Sequence, residues 1–292
     1  MAQFLISAFA DEAGDTLEEQ IAALKRNGLR CIEPRNVQGN LVEKSDEELE
    51  AIAARLKEAG IEVSSLGSPI GKYGIDDPFE AHLETFRRAL RACEILGTKN
   101  MRIFSFFVPQ ERLEECRDEV HRRMQILLDL AQEAGVTLCH ENEAQIYGQN
   151  PQEVRDLLTA HARLRGIFDA ANYVRDGLNP IEGIEATLPS LEYLHVKDAK
   201  FEDGAIVPCG MGDGRYDEVL RRVDALTDGV VYLTLEPHLH IFEAYKQIDQ
   251  HQLKTELAFS NAGEAFDFAA AKLKGLLAEL GYKEGENQIW KK

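Results

Sequence analysis

The chain alternates between two hydrophobic periods. An extended apolar run, QFLISAF at 3–9, gives way to a stretch in which Leu17, Ile21 and Leu24 recur at helical spacing, and this exchange repeats about eight times. RCIEP (30–34) precedes a helix at 46–60, IEVSSLG restarts extended structure, and a third helix falls at 79–96. Extended runs at 99–104, 136–141, 165–170, 191–196 and 230–236 are separated by helices near 111–134, 151–160, 180–188 and 215–226, and a last helix spans 262–281. The helix ends RNGLR, EAGIE, ILGTK and EAGVT share a signature in which glycine closes the helix and the next apolar residue opens a strand. Strict alternation of this kind predicts an α/β protein, a (β/α)8 TIM barrel spanning residues 1–292 as a single domain. An open doubly wound sheet also alternates, but no GxGxxG follows the first strand and no Walker sequence occurs.

Two stretches break the alternation. Residues 198–217, DAKFEDGAIVPCGMGDGRYD, are rich in glycine and too long for an ordinary connection, which marks them as a functional loop. Residues 237–262 form a second insertion with His238, His240, Phe242 and Tyr245 available to cover a pocket, although a packed surface excursion reads them equally well. Both are expected over the C-terminal face of the barrel.

Composition narrows the partners. Lys and Arg total 33 against 51 Asp and Glu, a formal charge of -18 that repels nucleic acid and anionic membrane surfaces. No apolar run reaches the ~20 residues that span a bilayer, and the N-terminus turns acidic without a basic leader, so a cytoplasmic protein is expected. Cys31, Cys93, Cys116, Cys139 and Cys209 are scattered without a CxxC pair, which indicates reduced thiols rather than a disulfide framework or a thiolate zinc site.

Four of the extended runs end on a residue able to bind a metal: Glu141, Asp169, His195 and Glu236. In a parallel barrel the strand ends converge on one mouth, so three carboxylates and one imidazole would meet there. An oxygen-rich set with a single imidazole suits manganese or magnesium better than a structural zinc site closed by Cys and His.

HENEAQIYG (140–148), FDAAN (168–172), HVKDA (195–199) and LEPH (235–238), preceded by FADE (9–12), IEPR (32–35), SPIG (68–71) and RIFSF (102–106), resemble the xylose-isomerase-like TIM barrels, the sugar phosphate isomerase/epimerase group. The resemblance covers nearly the whole chain. It implies that Glu141, Asp169, His195 and Glu236 hold one divalent ion, usually manganese, with cobalt, magnesium or zinc also found. It implies that Glu141 and Glu236 flank a bound sugar and exchange a proton with carbon, as catalytic residues, through a metal-stabilised enediolate. The substrate implied is a small-molecule carbohydrate: a sugar, keto-sugar or sugar acid. Homo-oligomers enter only through the same resemblance.

Further residues are candidates for binding that substrate. Lys197 lies two positions beyond His195, on the same side of the strand, and is placed to meet a substrate oxygen. Arg102 suits an anionic group or one of the chain's own carboxylates. Glu33 suits sugar hydroxyls, or a partnership with Arg35 or Arg102. His140 alternates away from Glu141, which favours a packed, hydrogen-bonded histidine over a substrate contact. His238 and Asn172 complete the set. Asn172 stands where many ketose epimerases carry a histidine, and Lys200 and Phe201 occupy the region of their arginine after HxxD. Ala144 and Gln145 stand where relatives often continue HENE with Lys-Gly.

Two other reactions share this framework. An enolate formed beside the carbonyl of an oxidised, 3-keto sugar can expel a leaving group, giving a lyase or deglycosylase at the same site. The endonuclease IV branch repairs DNA with three zinc ions, but needs more histidines at strand ends and a basic groove than an acidic chain with eight His provides. The lack of a glycine-rich phosphate cradle directly after a strand favours an unphosphorylated sugar; GMGDG (210–214) could act as such a cradle, but a run of this kind is more often a flexible turn.

Overall fold

The computed structural model describes residues 2–240 and 257–292. In chain order its strands are β1 (Ala2–Ala8), β2 (Cys31–Ile32), β3 (Glu62–Val63), β4 (Asn100–Ile103), β5 (Thr137–Glu141), β6 (Arg165–Asp169), β7 (Leu191–Val196), β8 (Asp198–Ala199), β9 (Ile206–Val207), β10 (Gly229–Leu235), β11 (Lys283–Glu284) and β12 (Ile289–Lys291). Eight of them, β1 to β7 and β10, close into a parallel ring. β10 returns to β1 in register from Ala2 opposite Gly229 to Ala8 opposite Leu235. Around β2 and β3 regular pairing is short, and single backbone bonds complete the circuit: Glu33 N–H donates to the Ala8 carbonyl (3.0 Å) and Leu66 N–H to that of Asn100 (2.9 Å). The expected (β/α)8 barrel is the observed one.

Helices α1 (Leu17–Arg26), α2 (Asp46–Ala59), α3 (Phe79–Leu96), α4 (Leu113–Ala134), α5 (Pro151–Ala160), α6 (Ala170–Arg175), α7 (Pro180–Thr187), α8 (Tyr216–Leu226) and α9 (Ala262–Glu279) surround the ring. Their starts are written locally. Thr16 with Glu19, Ser45 with Glu48 and Asn150 with Glu153 form reciprocal capping boxes that satisfy the first free N–H groups of α1, α2 and α5. Gly60, Gly97 and Gly135 end α2, α3 and α4 in the left-handed region at φ 73°, 72° and 69°, where a side chain would be strained. None of the described helices is long and apolar enough to cross a membrane.

Most of the apolar core fills the shell between helices and ring. The ring's own interior is smaller, with Cys139, Ile167 and Tyr193 packed together and Tyr232 against them. Polar groups pair beside this layer: Ser7 with Ser64 (2.7 Å) and Ser65 with Tyr193 (2.9 Å).

Three features were not expected. The antiparallel hairpin β11–β12 sets Trp290 opposite Phe4 and Ile289 opposite Leu5, covering an edge of β1 near its N-terminal end. Asp169, besides ending β6, caps the one-and-a-half turns of α6. The glycine-rich run after β7 is a cage rather than a flexible turn. Asp198 accepts backbone N–H groups from Gly210 (2.9 Å), Gly212 (3.0 Å) and Gly214 (2.9 Å), and β8 pairs with β9 beneath it. A Cβ on Gly212 would fall 2.4 Å from the Ala199 carbonyl oxygen, and one on Gly214 2.7 Å from Asp198 Oδ1, so both glycines are there to permit close approach. In the second insertion, residues 241–256, including Phe242 and Tyr245, lie outside the described residues.

Candidate metal centre

Strand periodicity builds the site. Cys139, Ile167 and Tyr193 face the ring interior, and two residues further on β5, β6 and β7 the same side presents Glu141, Asp169 and His195 at the strands' C-terminal ends. Tyr232, Thr234 and Glu236 repeat the alternation along β10 and just past its end. All four terminal residues are buried, and one donor atom from each lies within 4.8 Å of the others.

Each of them has one polar atom committed to the protein and another facing the common point. Glu236 Oε1 accepts from Arg35 Nη1 at 2.8 Å, Asp169 Oδ1 accepts the Asn172 N–H at 3.1 Å, and Glu141 Oε2 accepts from Arg102 Nη1 at 3.3 Å. The remaining atoms, Glu236 Oε2, Asp169 Oδ2 and His195 Nδ1, are sealed from water and meet no hydrogen-bond geometry; their near neighbours are the Lys197 ammonium and one another. Orphaned buried atoms of this kind are costly unless a cation gathers them. His195 Nδ1 lies 3.0 Å from Glu141 Oε1 and 3.5 Å from Glu236 Oε2. Donors that share an ion with bonds near 2.1 Å stand about 3.0 Å apart along an octahedral edge and about 3.4 Å along a tetrahedral one. Glu141, Asp169, His195 and Glu236 therefore fit a divalent ion.

The electrostatics carry the same signature. Burial pushes the Asp169 carboxyl up to about 7 against the pull of Lys197, with Glu141 and Glu236 adding repulsion. Burial acts on Glu236 too, but Lys197, His238, His195 and Arg35 outweigh it and hold this carboxyl well below the usual range. Lys197 touches both, at 3.1 Å from Asp169 Oδ2 and 3.5 Å from Glu236 Oε2; the shifts run in opposite directions because Glu236 also has His238 and Arg35 beside it, whereas Asp169 faces two further carboxylates. For His195, burial would discharge the ring, yet Glu141 and Glu33 hold its pKa up at about 10. These groups compete for positive charge in a space closed to water.

Two arginines back the glutamates. Arg35 donates to Asp11 Oδ2 (2.9 Å) and Glu12 Oε1 (2.9 Å) as well as to Glu236. Arg102 reaches Glu141 and the carbonyls of Ser68 (3.3 Å) and Gly67 (3.4 Å). Both guanidinium groups lie over the ring of Phe9, at 4.2 and 5.0 Å, and that ring also meets His195 edge-on at 5.0 Å. Glu12, Glu236 and His238 form a second cluster of donors, but Arg35 already supplies its cation.

The other expected site residues divide by position. Lys197 joins the cluster, and Arg102 pairs with a carboxylate of the chain as well as facing the centre. Asn172 approaches Glu141 Oε1 at 3.5 Å while its amide donates to the Asn142 carbonyl at 2.8 Å. His238 donates its backbone N–H to Glu12 Oε2 (2.6 Å) from a left-handed conformation at φ 47°, with Nε2 3.9 Å from Glu236 Oε1. His140 is packed in the wall, sharing a 2.8 Å hydrogen bond with Ser105 beneath Gly148, and burial lowers its pKa to about 3; it is not at the mouth. Glu33 is also sealed, 0% exposed, with the Tyr193 and Thr234 hydroxyls donating to its two oxygens.

Some contributors were not singled out in the sequence. Asn142 bridges the ends of β5 and β6, donating to the Asp169 carbonyl and accepting its N–H, each at 3.0 Å. Tyr216 shares its one hydroxyl proton between the His195 and Lys197 carbonyls (3.0 and 2.9 Å), accepts the Lys197 N–H (3.1 Å), and steadies the strand end that carries both side chains. Lys72 pairs with Glu143 at 3.0 Å beside Lys197. Only Asn142 and Glu143, inside HENE, had a sequence signal.

The sequence profile of the xylose isomerase-like TIM barrel family matches residues 21–261. No curated protein matches the chain. Among solved structures, the probable 3-DHS dehydratase AsbF of Bacillus anthracis superposes with a TM-score of 0.70 at 16% identity, over 94% of this chain and 99% of that one. The IolI protein with a bound zinc atom gives 0.69 at 16% (95% and 99%), and the 3-keto-D-glucoside 4-epimerase YcjR of E. coli gives 0.66 at 15% (93% and 98%). At these identities the likeness is one of fold.

Proposed function

This chain belongs to the xylose isomerase-like TIM barrel family, and on that premise we propose that it is a divalent-metal-dependent isomerase or epimerase of a sugar, keto-sugar or sugar acid. The carrying observation is the convergence of Glu141, Asp169, His195 and Glu236, three of them with an orphaned atom turned to the same point. Manganese is the preferred ion, because hard carboxylate oxygens outnumber the single imidazole three to one. When bound, the ion polarises a substrate carbonyl and lowers the cost of removing a proton from the adjacent carbon.

The chain's own groups do the rest. β5 and β10 are separated in the ring by β6 and β7, so Glu141 and Glu236 approach from opposite sides of the Asp169–His195 pair. Glu141 and Glu236 are then the two groups that take and return the carbon-bound proton. Lys197, whose ammonium lies between Asp169 and Glu236, is placed to donate to a substrate oxygen. The burial of all these groups keeps water from the deprotonated carbon.

Proton NMR of keto-sugars incubated in deuterium oxide with the manganese-loaded protein tests this reading. Deuterium entering a carbon beside the carbonyl, lost on chelation, supports it; release of a leaving group would mark the bond-cleaving reaction instead. A protein that takes up no divalent ion would refute it.

A further inference from the structure

Glu33 and His195 are 162 positions apart and meet inside the barrel. His195 Nε2 lies 3.4 and 3.3 Å from Glu33 Oε1 and Oε2, straddled by the two oxygens. A hydroxyl fixes each oxygen: Tyr193 Oη donates to Oε1 at 2.9 Å and Thr234 Oγ1 to Oε2 at 2.8 Å. Tyr193 is itself held by Ser65, and Phe9 packs edge-on against the imidazole. Every member of this set is fully or almost fully buried.

We propose that Glu33 is a positioning residue: it receives the Nε2 proton of His195 and thereby fixes the ring's orientation and tautomer, presenting the Nδ1 lone pair to the ion. This inference rests on the metal-centre reading above and adds the device that prepares its single nitrogen ligand. An imidazole carries one proton when it ligates, and which nitrogen keeps it is decided by the hydrogen bond on the far side of the ring. Here the far side holds a carboxylate, an acceptor with no proton to give, while Nδ1 is turned to the ligand cluster, 3.0 Å from Glu141 Oε1 and 3.5 Å from Glu236 Oε2. Tyr193 and Thr234 stop the carboxylate rotating away. Both Glu33 oxygens are engaged by Tyr193, Thr234 and His195, and this engagement is what a role in aiming His195 requires.

The test uses the full chain and Zn2+ as a diamagnetic probe. In the zinc-loaded wild type, nitrogen-15 NMR of the histidines should show His195 protonated at Nε2 and metal-bound at Nδ1; ligation through Nε2 overturns the proposal without any variant. Glu33→Gln, which keeps the shape but removes the charge, should weaken Zn2+ binding about 10- to 100-fold in a calorimetric titration and broaden or exchange the His195 tautomer signals. Tyr193→Phe serves as a control for packing: it removes one hydroxyl but no acceptor, and should lower the melting temperature while leaving Nε2–H in place. Unchanged affinity and tautomer in Glu33→Gln would sink the inference alone. A wild type that binds no zinc would bring down the metal-centre reading and this inference with it.

Discussion

Arg35 holds Glu236 through a 2.8 Å hydrogen bond from Nη1 to Oε1, and its other two donors hold Glu12 and Asp11, so one guanidinium organises three buried carboxylates. Removing it takes away the cation that three buried carboxyl groups share. Arg35→Met is expected to cost about 3–5 kcal/mol in urea unfolding and to weaken manganese binding, because Glu236 loses the contact that aims its free oxygen. Arg35→Lys keeps a charge but not the fork, so it should recover only part of either loss.

On the proposed mechanism, variants of the two glutamates and of the lysine should differ in what they do to the metal. Glu141→Gln and Glu236→Gln should each lower turnover by about 10²- to 10⁴-fold and loosen the metal. Lys197→Met should lower turnover while elemental analysis still finds the ion, since Asp169 and Glu236 lose only a competing cation. Near-normal turnover in either glutamine variant would contradict the two-glutamate mechanism.

His82, which is not among the candidate ligands, predicts an acid-sensitive stability. Its Nε2 accepts the Gly71 N–H at 3.0 Å, and burial, with Arg123 adding, lowers its pKa from 6.5 to about 4. The unfolded chain binds a proton near 6.5 and the folded chain only near 4, so the contribution is present above pH 6.5, declines as pH falls, and is lost by pH 4. The full effect is about 3 kcal/mol. Denaturant midpoints between pH 7 and 4 should fall less steeply in His82→Gln, which keeps an acceptor without a titrating ring.

Asp198 should act as the pin of its loop. Asp198→Ala leaves the Gly210, Gly212 and Gly214 N–H groups without their acceptor. Limited proteolysis should then cut within 200–214 much faster than in the parent, while far-ultraviolet circular dichroism still reports an intact barrel. Equal cleavage rates would mean that the loop holds without its carboxylate.

The barrel was legible because its signal is repeated. Eight strand–helix exchanges, with capping residues such as Ser45 and closing glycines such as Gly60, fix where each element begins and ends. The candidate ligands were legible because a period of two carries Cys139 to Glu141, Ile167 to Asp169 and Tyr193 to His195 onto one side. What sequence could not supply was contact between distant positions. Glu33 stands at a strand end like the ligands do, but its partners are Tyr193, His195 and Thr234, and nothing local distinguishes a carboxylate that meets hydroxyl donors inside a ring from one that meets a sugar outside it. The hairpin of Trp290 was missed because three paired residues are too few to show a period. The glycines at 210–214 looked like freedom when they are room made for Asp198.

Phe9 gives the site a property that no single ligand has. Its ring is the shared floor beneath Arg35 and Arg102 and the wall beside His195. The supports of Glu236, Glu141 and the imidazole therefore touch through one side chain, and mutations on opposite sides of the mouth should be epistatic. A variant library that alters Arg35 and Arg102 separately will under-report what combinations can do, and any redesign of this centre has to settle residue 9 before it settles either arginine.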